Sequence, residues 1–422
     1  MKRICLRSNI SLANDGLVSW YQVIKLDGWG LSAIRRKGWQ MKPVKFILRI
    51  LKFGVLLFFL TGCNFPLPSP APVRETTTAV ATKFEETSIQ ATPTATPTPI
   101  ATKTVRPTPT QTLVPTAVPN DLIWYAPNMG SRDYIDLFTK PEAWTAARQR
   151  IDVFKFYTQN LLNAPCTICG SNILNAFTDV DAFRKLTEWG IAIGAEVGAV
   201  KEWGCTGDEE YRVAKEVMDN VQANGGKVTF LAMDEPYIGG ELVANGKSCN
   251  HSIQQSADAT AHFIQLVNQA EAQVLVGDIE PYPYFTVTQL EEWIKALEER
   301  GVRLTFFHLD VDIERAQVED QNVGGDLQAL SQFCQENGIP FGLIFTSSWR
   351  YAGSDRAYFD STMGWINRVF QAIGKPQHVI FQSWQGPARD GLHSVPINLP
   401  EDDPQVYSHT RLILAGMDVL LK

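Results

Sequence analysis

From Val228 to Tyr282 the chain reads VTFLAMDEPYIGGELVANGKSCNHSIQQSADATAHFIQLVNQAEAQVLVGDIEPY. It opens on an apolar run, VTFLAMDEP (228–236), and closes on another, AQVLVGDIEPY (272–282). Between them HSIQQSADATAHFIQLVNQA (251–270) carries apolar residues at helical spacing. Two short strands joined through a helix cannot form a hairpin and pair side by side in a parallel sheet. Both strands begin apolar and end in carboxylates.

The unit repeats outward in both directions. Upstream lie LIWYAPN (122–128), DVFKFYTQ (152–159) and IAIGAEVG (191–198); downstream lie RLTFFHLDVD (303–312), PFGLIFTSS (340–348) and HVIFQSW (378–384). Helical stretches such as DEEYRVAKEVMDNVQANGG, TQLEEWIKALEERG and DRAYFDSTMGWINRVFQAIG separate them. Glycines at 190, 226, 301, 338 and 374 fall where helices should end. A final helix, PQVYSHTRLILAGMDVLL, ends the chain. Eight strand–helix repeats from residue 121 to 422 predict an α/β fold, a (β/α)8 TIM barrel. An open doubly wound sheet fits less well, because no glycine-rich phosphate loop follows the first strand.

In such a barrel the site lies where strands end. By alternation, Val274, Val276, Asp278 and Glu280 share one face of the fifth strand, and Leu275, Gly277 and Ile279 the other. In the sixth, Leu304, Phe306, His308, Asp310 and Asp312 share a face. Apolar faces are expected to meet the helices, so the carboxylates of both strands are expected to point into the mouth. Asp234, Glu235 and Tyr237 end the fourth strand, Glu196 the third, and Lys155 and Tyr157 the second. Convergent titratable groups mark a functional site.

Glycoside hydrolysis needs two carboxyl groups flanking the bond, one to protonate the leaving oxygen and one to attack or to activate water. It also uses aromatic platforms, for which Trp124, Trp203, Trp349, Trp384, Tyr237, Tyr282 and Tyr284 are placed near strand ends. Here the chain resembles the (β/α)8 glycoside hydrolase superfamily. Asp234-Glu235-Pro236 is similar to the Asn-Glu-Pro of its largest clan, which implies an acid/base role for Glu235. Trp384 resembles the tryptophan that floors the subsite nearest the cut. That clan takes its nucleophile from the end of strand seven, where this chain has Phe345-Thr346-Ser347-Ser348. Glu280 is therefore the expected second catalytic acid, with Asp310 and Asp312 next. Substrate contacts are expected from Asp234, Tyr237, Asp278, Tyr282, His308, Asp310, Asp312, Trp384, Lys155 and Tyr157. The bland reading makes Glu235 a barrel-mouth acid paired with Lys155, and His308 a hydrogen-bonded interior histidine. Two rivals stand: a barrel that holds a glycan without cutting it, and a metal-dependent hydrolase using His308, Asp310, Asp312 and Glu280. Against the second, no His-x-His or His-Glu-x-x-His spacing occurs, and neither a cofactor nor a metal is expected.

The front of the chain reads as an address. MKPVKFILRILKFGVLLFFLTGC (41–63) joins a basic start to a short apolar core and small residues. Its Leu60-Thr61-Gly62-Cys63 ending resembles the lipobox of bacterial lipoproteins, which implies lipidation of Cys63. Residues 1–40 then read as a misassigned upstream start, 41–62 as the signal peptide, 63–120 as anchor cysteine and disordered linker, and 121–422 as the barrel. Asn64 to Asn120 holds 11 of the 24 prolines and 15 threonines, too few apolar residues for a core. Residues 1–62 hold 11 of the 38 basic residues and 2 of the 45 acidic ones, leaving 27 against 43, about −16, for the rest. So acidic a surface disfavours nucleic acid. The expected partners are a carbohydrate and, through Cys63, a membrane, on the outer or periplasmic side, with the chain acting as a monomer. Export makes disulfides the first reading of Cys205, Cys249, Cys166 and Cys169. Cys205 with Cys249 would brace the mouth, and Cys166 with Cys169 would close a small loop; a four-cysteine zinc knot is the alternative. Cys334 reads as a buried free thiol. Residues 392–401 are read as a lid or subsite wall.

Overall fold

The computed structural model describes residues 119–164, 173–201, 204–241, 243–244, 247–318, 321–347, 353–383 and 396–422. The expected extension, the signal, the lipid-bearing Cys63 and the linker as far as residue 118 lie outside these residues, as do Cys166, Cys169, Trp203, Trp349 and Trp384.

Eight parallel strands close into a barrel. They are β1 (Leu122–Ala126), β2 (Val153–Tyr157), β3 (Ala192–Val197), β4 (Val228–Asp234), β5 (Leu275–Tyr282), β6 (Phe307–Val311), β7 (Phe341–Phe345) and β8 (His378–Gln382). Closure is made by β1 on β8, with Leu122 opposite His378 and Ala126 opposite Gln382. The chain is thus the expected TIM barrel. Its helices form the outer layer, several with the hydroxyl cap that satisfies otherwise unpaired first-turn amides. Ser252 accepts from the Gln255 amide and Thr286 from that of Gln289, each as a capping box. The glycines at 190, 301, 338 and 374 do adopt positive φ, but at the second of these ends it is Gly225, not Gly226.

The core is in two parts, as expected of a sheet covered on both faces. The outer part packs helices onto outward residues such as Leu231, Met233, Val276 and Leu309. The inner part fills the barrel with Leu122, Trp124, Val153, Phe230, Ala232, Leu275, Ile279, Phe306, Ile344 and Ile380. Trp124, expected near the sugar site, is instead sealed at the barrel centre, with ring centroids 4.9 Å from Phe230 and 5.2 Å from Phe306. Glycines on β3, β5 and β7 make room for these rings. A Cβ on Gly277 would lie 2.3 Å from Phe306, and one on Gly342 2.6 Å from His308.

That packing decides which way β5 faces. Gly277 is inward because Phe306 occupies the space beside it, so Leu275 and Ile279 are inward too. Asp278 and Glu280, one residue out of phase, point outward into the helical layer, and the expected orientation of this strand is reversed. Alternation distinguishes two faces but does not say which is the inner one. Strand β6 faces as expected, with Phe306 and His308 inside.

Candidate active site

The mouth of the barrel is built upward from a polar floor. Lys155, from the inner face of β2, is fully buried and bonds the Glu196 carboxylate on β3; it also donates to Gln382 Oε1 on β8 at 2.6 Å. Gln382 Nε2 returns a bond to Glu196 Oε2 at 3.1 Å. Beside them the Tyr157 hydroxyl donates to the Ser383 carbonyl at 2.8 Å. A buried ammonium without such partners would be costly, so this network pins three strand ends together. The bland pairing of Lys155 with Glu235 is therefore not the one formed.

Above the floor, Lys201 in the loop after β3 bridges Asp234 Oδ2 at 2.9 Å and Glu235 Oε2 at 2.6 Å. No single feature of the sequence singled out Lys201; its signal was a basic residue in a βα loop next to acidic strand ends. Glu235 follows the last residue of β4 and has φ 54°, a left-handed conformation that β-carbons resist. Its amide donates to the Ile279 carbonyl at 2.9 Å, and its own carbonyl accepts from Gly239 at 2.8 Å as the helix Pro236–Glu241 begins. Pro236 fits there because the first helical position needs no amide donor.

Two strands round the barrel from β4, Asp310 of β6 is partly exposed and hydrogen-bonded to no side chain among the described residues. Burial, then the charges of Glu235 and Glu196, push its carboxyl up to about 8. Glu235 is also raised by burial, but the Lys201 ammonium opposes the shift. Glu196 is raised by burial against the pull of Lys155. The mouth therefore holds two carboxyls that are both raised, Asp310 to about 8 and Glu235 against the pull of the lysine it bonds.

Several expected site residues are elsewhere. Asp278 Oδ2 accepts from the Trp293 indole at 2.7 Å, and Glu280 Oε1 from the Tyr237 amide at 2.7 Å, both fully buried against helices. Tyr237 stacks on Phe285, with centroids 3.8 Å apart, and on Trp293. Tyr282 is buried, and its hydroxyl donates to Asp326 at 2.5 Å. These two tyrosines are packing residues rather than sugar platforms, since neither ring presents a free face. Tyr284 does stay exposed, under the Arg315 guanidinium. His308 lies inside the barrel below the mouth, its Nε2 2.9 Å from His378 Nδ1, and burial holds it well below the usual histidine range. It is the interior histidine of the bland reading. Asp312 accepts from the Arg315 amide at 3.0 Å and caps the helix Ile313–Val318. His308, Asp310, Asp312 and Glu280 thus do not converge as a metal set.

The mouth is braced from its rim. Cys205 and Cys249, in the loops after β3 and β4, form a disulfide with Cα atoms 5.4 Å apart. Cys334 is a buried free thiol. The described end of the expected lid is tied to the barrel's flank: Asn398 accepts from the Tyr125 hydroxyl at 2.7 Å, and Glu401 accepts from the Ala146 and Ala147 amides.

No family model and no curated protein matches the chain. Among solved structures, it is similar to the catalytic domain of a hyperthermophilic chitinase from Pyrococcus furiosus, at 17% identity over 72% of this chain and 99% of that one, TM-score 0.42. A Cellulomonas fimi endo-beta-1,4-mannanase double mutant aligns at 12% identity over 71% of each chain, TM-score 0.47. A 3-keto-D-glucoside 4-epimerase from E. coli aligns at 10% identity over 72% of this chain and all of that one, to the nearest percent, TM-score 0.37. The fold assignment rests on the closed eight-stranded sheet itself.

Proposed function

We propose that this barrel is a glycoside hydrolase in which Asp310 is the general acid and Glu235 the carboxylate on the other side of the bond. What supports the reading above all is the gathering just described: two carboxyls from the ends of β4 and β6 in one polar mouth, Asp310 raised to about 8 and Glu235 bonded to Lys201. Asp310 would protonate the leaving oxygen while Glu235 attacks the anomeric carbon or draws a proton from water. The family resemblance implies the acid/base role for Glu235, and the local charges favour the reverse assignment. Glu280 drops out as the second acid because it faces the helices. Lys155, Glu196 and Tyr157 line the base of the subsite, and Asp234 tunes Glu235 through the shared lysine.

Delivery to the outer or periplasmic face of a membrane through a lipidated Cys63, on the threonine- and proline-rich stalk, belongs to the same proposal. The Cys205–Cys249 bridge fits an oxidising compartment. The test is turnover and calorimetric binding of wild type, E235Q and D310N against a panel of neutral oligosaccharides. Hydrolysis by wild type, with both variants binding sugar but not cutting it, supports the proposal. A second reading, a barrel that holds glycans without cutting, is favoured by one observation: β7 ends Phe345-Thr346-Ser347 with no carboxylate. Affinity without turnover in the wild type would establish it.

A further inference from the structure

The two carboxyls on the wrong face of β5 remain to be explained. Asp278 and Glu280 are fully buried, and each leaves one oxygen without a partner among the described residues. Burial raises both well above the usual carboxylate range. Isolated acids in an apolar layer destabilise a fold unless they do something there.

Their partners point to one place. Glu280 Oε1 accepts from the amide of Tyr237, two residues beyond Glu235. The carbonyl of Ile279, the intervening residue, accepts from the amide of Glu235 itself. The end of β5 therefore grips the peptide chain on both sides of Glu235 and holds it at φ 54°. The Tyr237 ring is held in turn by stacking on Phe285 and Trp293, and Asp278 fixes Trp293 through its indole N–H. Deeper in the chain of contacts, then, a second carboxyl locks the ring that locks the turn.

We propose that Glu280, supported by the Asp278–Trp293–Tyr237 stack, is a positioning residue that holds the Glu235 backbone in its left-handed conformation and so aims the Glu235 carboxylate at Lys201 and the mouth. This rests on the assignment of Glu235 to the reaction. Glu280 acts as a hydrogen-bond acceptor from behind the barrel wall and never meets the sugar.

The test compares E280Q, which keeps the acceptor oxygen, with E280M, which keeps the shape and loses it. Turnover and the pH titration of the Glu235 carboxyl, followed by carbon-13 NMR, are read for both. E280Q should stay within about threefold of wild type, with the Glu235 midpoint unmoved. E280M should lose roughly 10- to 100-fold in kcat, a scale set by the sensitivity of catalysis to small misplacements. Its KM should hold within about threefold, and the Glu235 midpoint should shift. Loss of turnover in E280Q equal to that in E280M would mean that Glu280 works through its charge, and would overturn the proposal. So would an E280M indistinguishable from wild type. Should E280M not fold, E280A, which removes the same acceptor with a smaller side chain, is read in its place with the same expected loss and the same overturning result. If the wild type cleaves no glycan, the hydrolase reading fails, yet the Glu235 titration still reports whether Glu280 positions it.

Discussion

Replacing Asp310 by asparagine should make the protein more stable and inactive at once. The Asp310 carboxyl moves from 3.8 to about 8 on folding, roughly four units. At about 1.36 kcal/mol per unit the limit for a fully dry carboxyl is about 6 kcal/mol. Asp310 retains partial exposure, so water screens it, and about 1–2 kcal/mol is the expected remainder. The sign follows from linkage. Because the folded state binds this proton more tightly, its contribution to stability is fully present below pH 4 and is lost as pH rises from about 4 to about 8. Asparagine has no proton to lose. The variant should therefore match wild type near pH 4 and exceed it at pH 8.5, by about 2–3 °C in Tm for a domain of this size. Thermal unfolding at the two pH values, at equal ionic strength, measures the difference. A gap that is constant across pH, or that favours wild type at pH 8.5, would refute the reasoning, because burial and the neighbouring charges would then not be acting on this carboxyl.

Other outcomes follow from the same geometry. The pH–rate profile should be bell-shaped, with its alkaline limb near 8 from Asp310 and its acid limb above the usual glutamate range from Glu235. K201M removes the cation that favours the Glu235 carboxylate, so the acid limb should move up by about 1–3 units; an unmoved limb would detach Lys201 from the chemistry. E235Q should lower turnover by about 10²- to 10⁴-fold while calorimetry finds sugar affinity within about tenfold of wild type. The Cys205–Cys249 bridge spans 44 residues, for which loop closure gives as much as about 4 kcal/mol. Unfolding with and without dithiothreitol should show a clear drop in Tm, absent in a C205S/C249S variant.

The architecture was legible because strand and helix periods differ and repeat eight times. Each observed strand falls inside the run expected for it, as β5 (Leu275–Tyr282) does within 272–282. The facing of β6 was legible as well, since His308 and Asp310 sit in phase with Phe306. That of β5 was not. Both faces of a barrel strand are covered, so an apolar and a polar set do not sort into inside and outside as they would on a half-exposed sheet. The informative residue was Gly277, a vacancy in the inner layer that only an aromatic neighbour explains. Tyr237 and Tyr282 misled for a related reason: an aromatic beside an acid looks the same in sequence whether it floors a sugar site or packs under a helix. Lys201 was hard to single out because its partners, Asp234 and Glu235, end the neighbouring strand β4 and reach it only through the pairing of β3 with β4.

The central claim is that Asp310 and Glu235 stand on either side of one glycosidic bond. A crystal structure of E235Q soaked with an oligosaccharide tests it directly. The account predicts a sugar across the mouth over Lys155 and Glu196, with the bridging oxygen within about 3.2 Å of the Asp310 carboxyl and the anomeric carbon facing residue 235. A sugar seated away from this mouth, or one whose glycosidic oxygen is beyond the reach of Asp310, would contradict it.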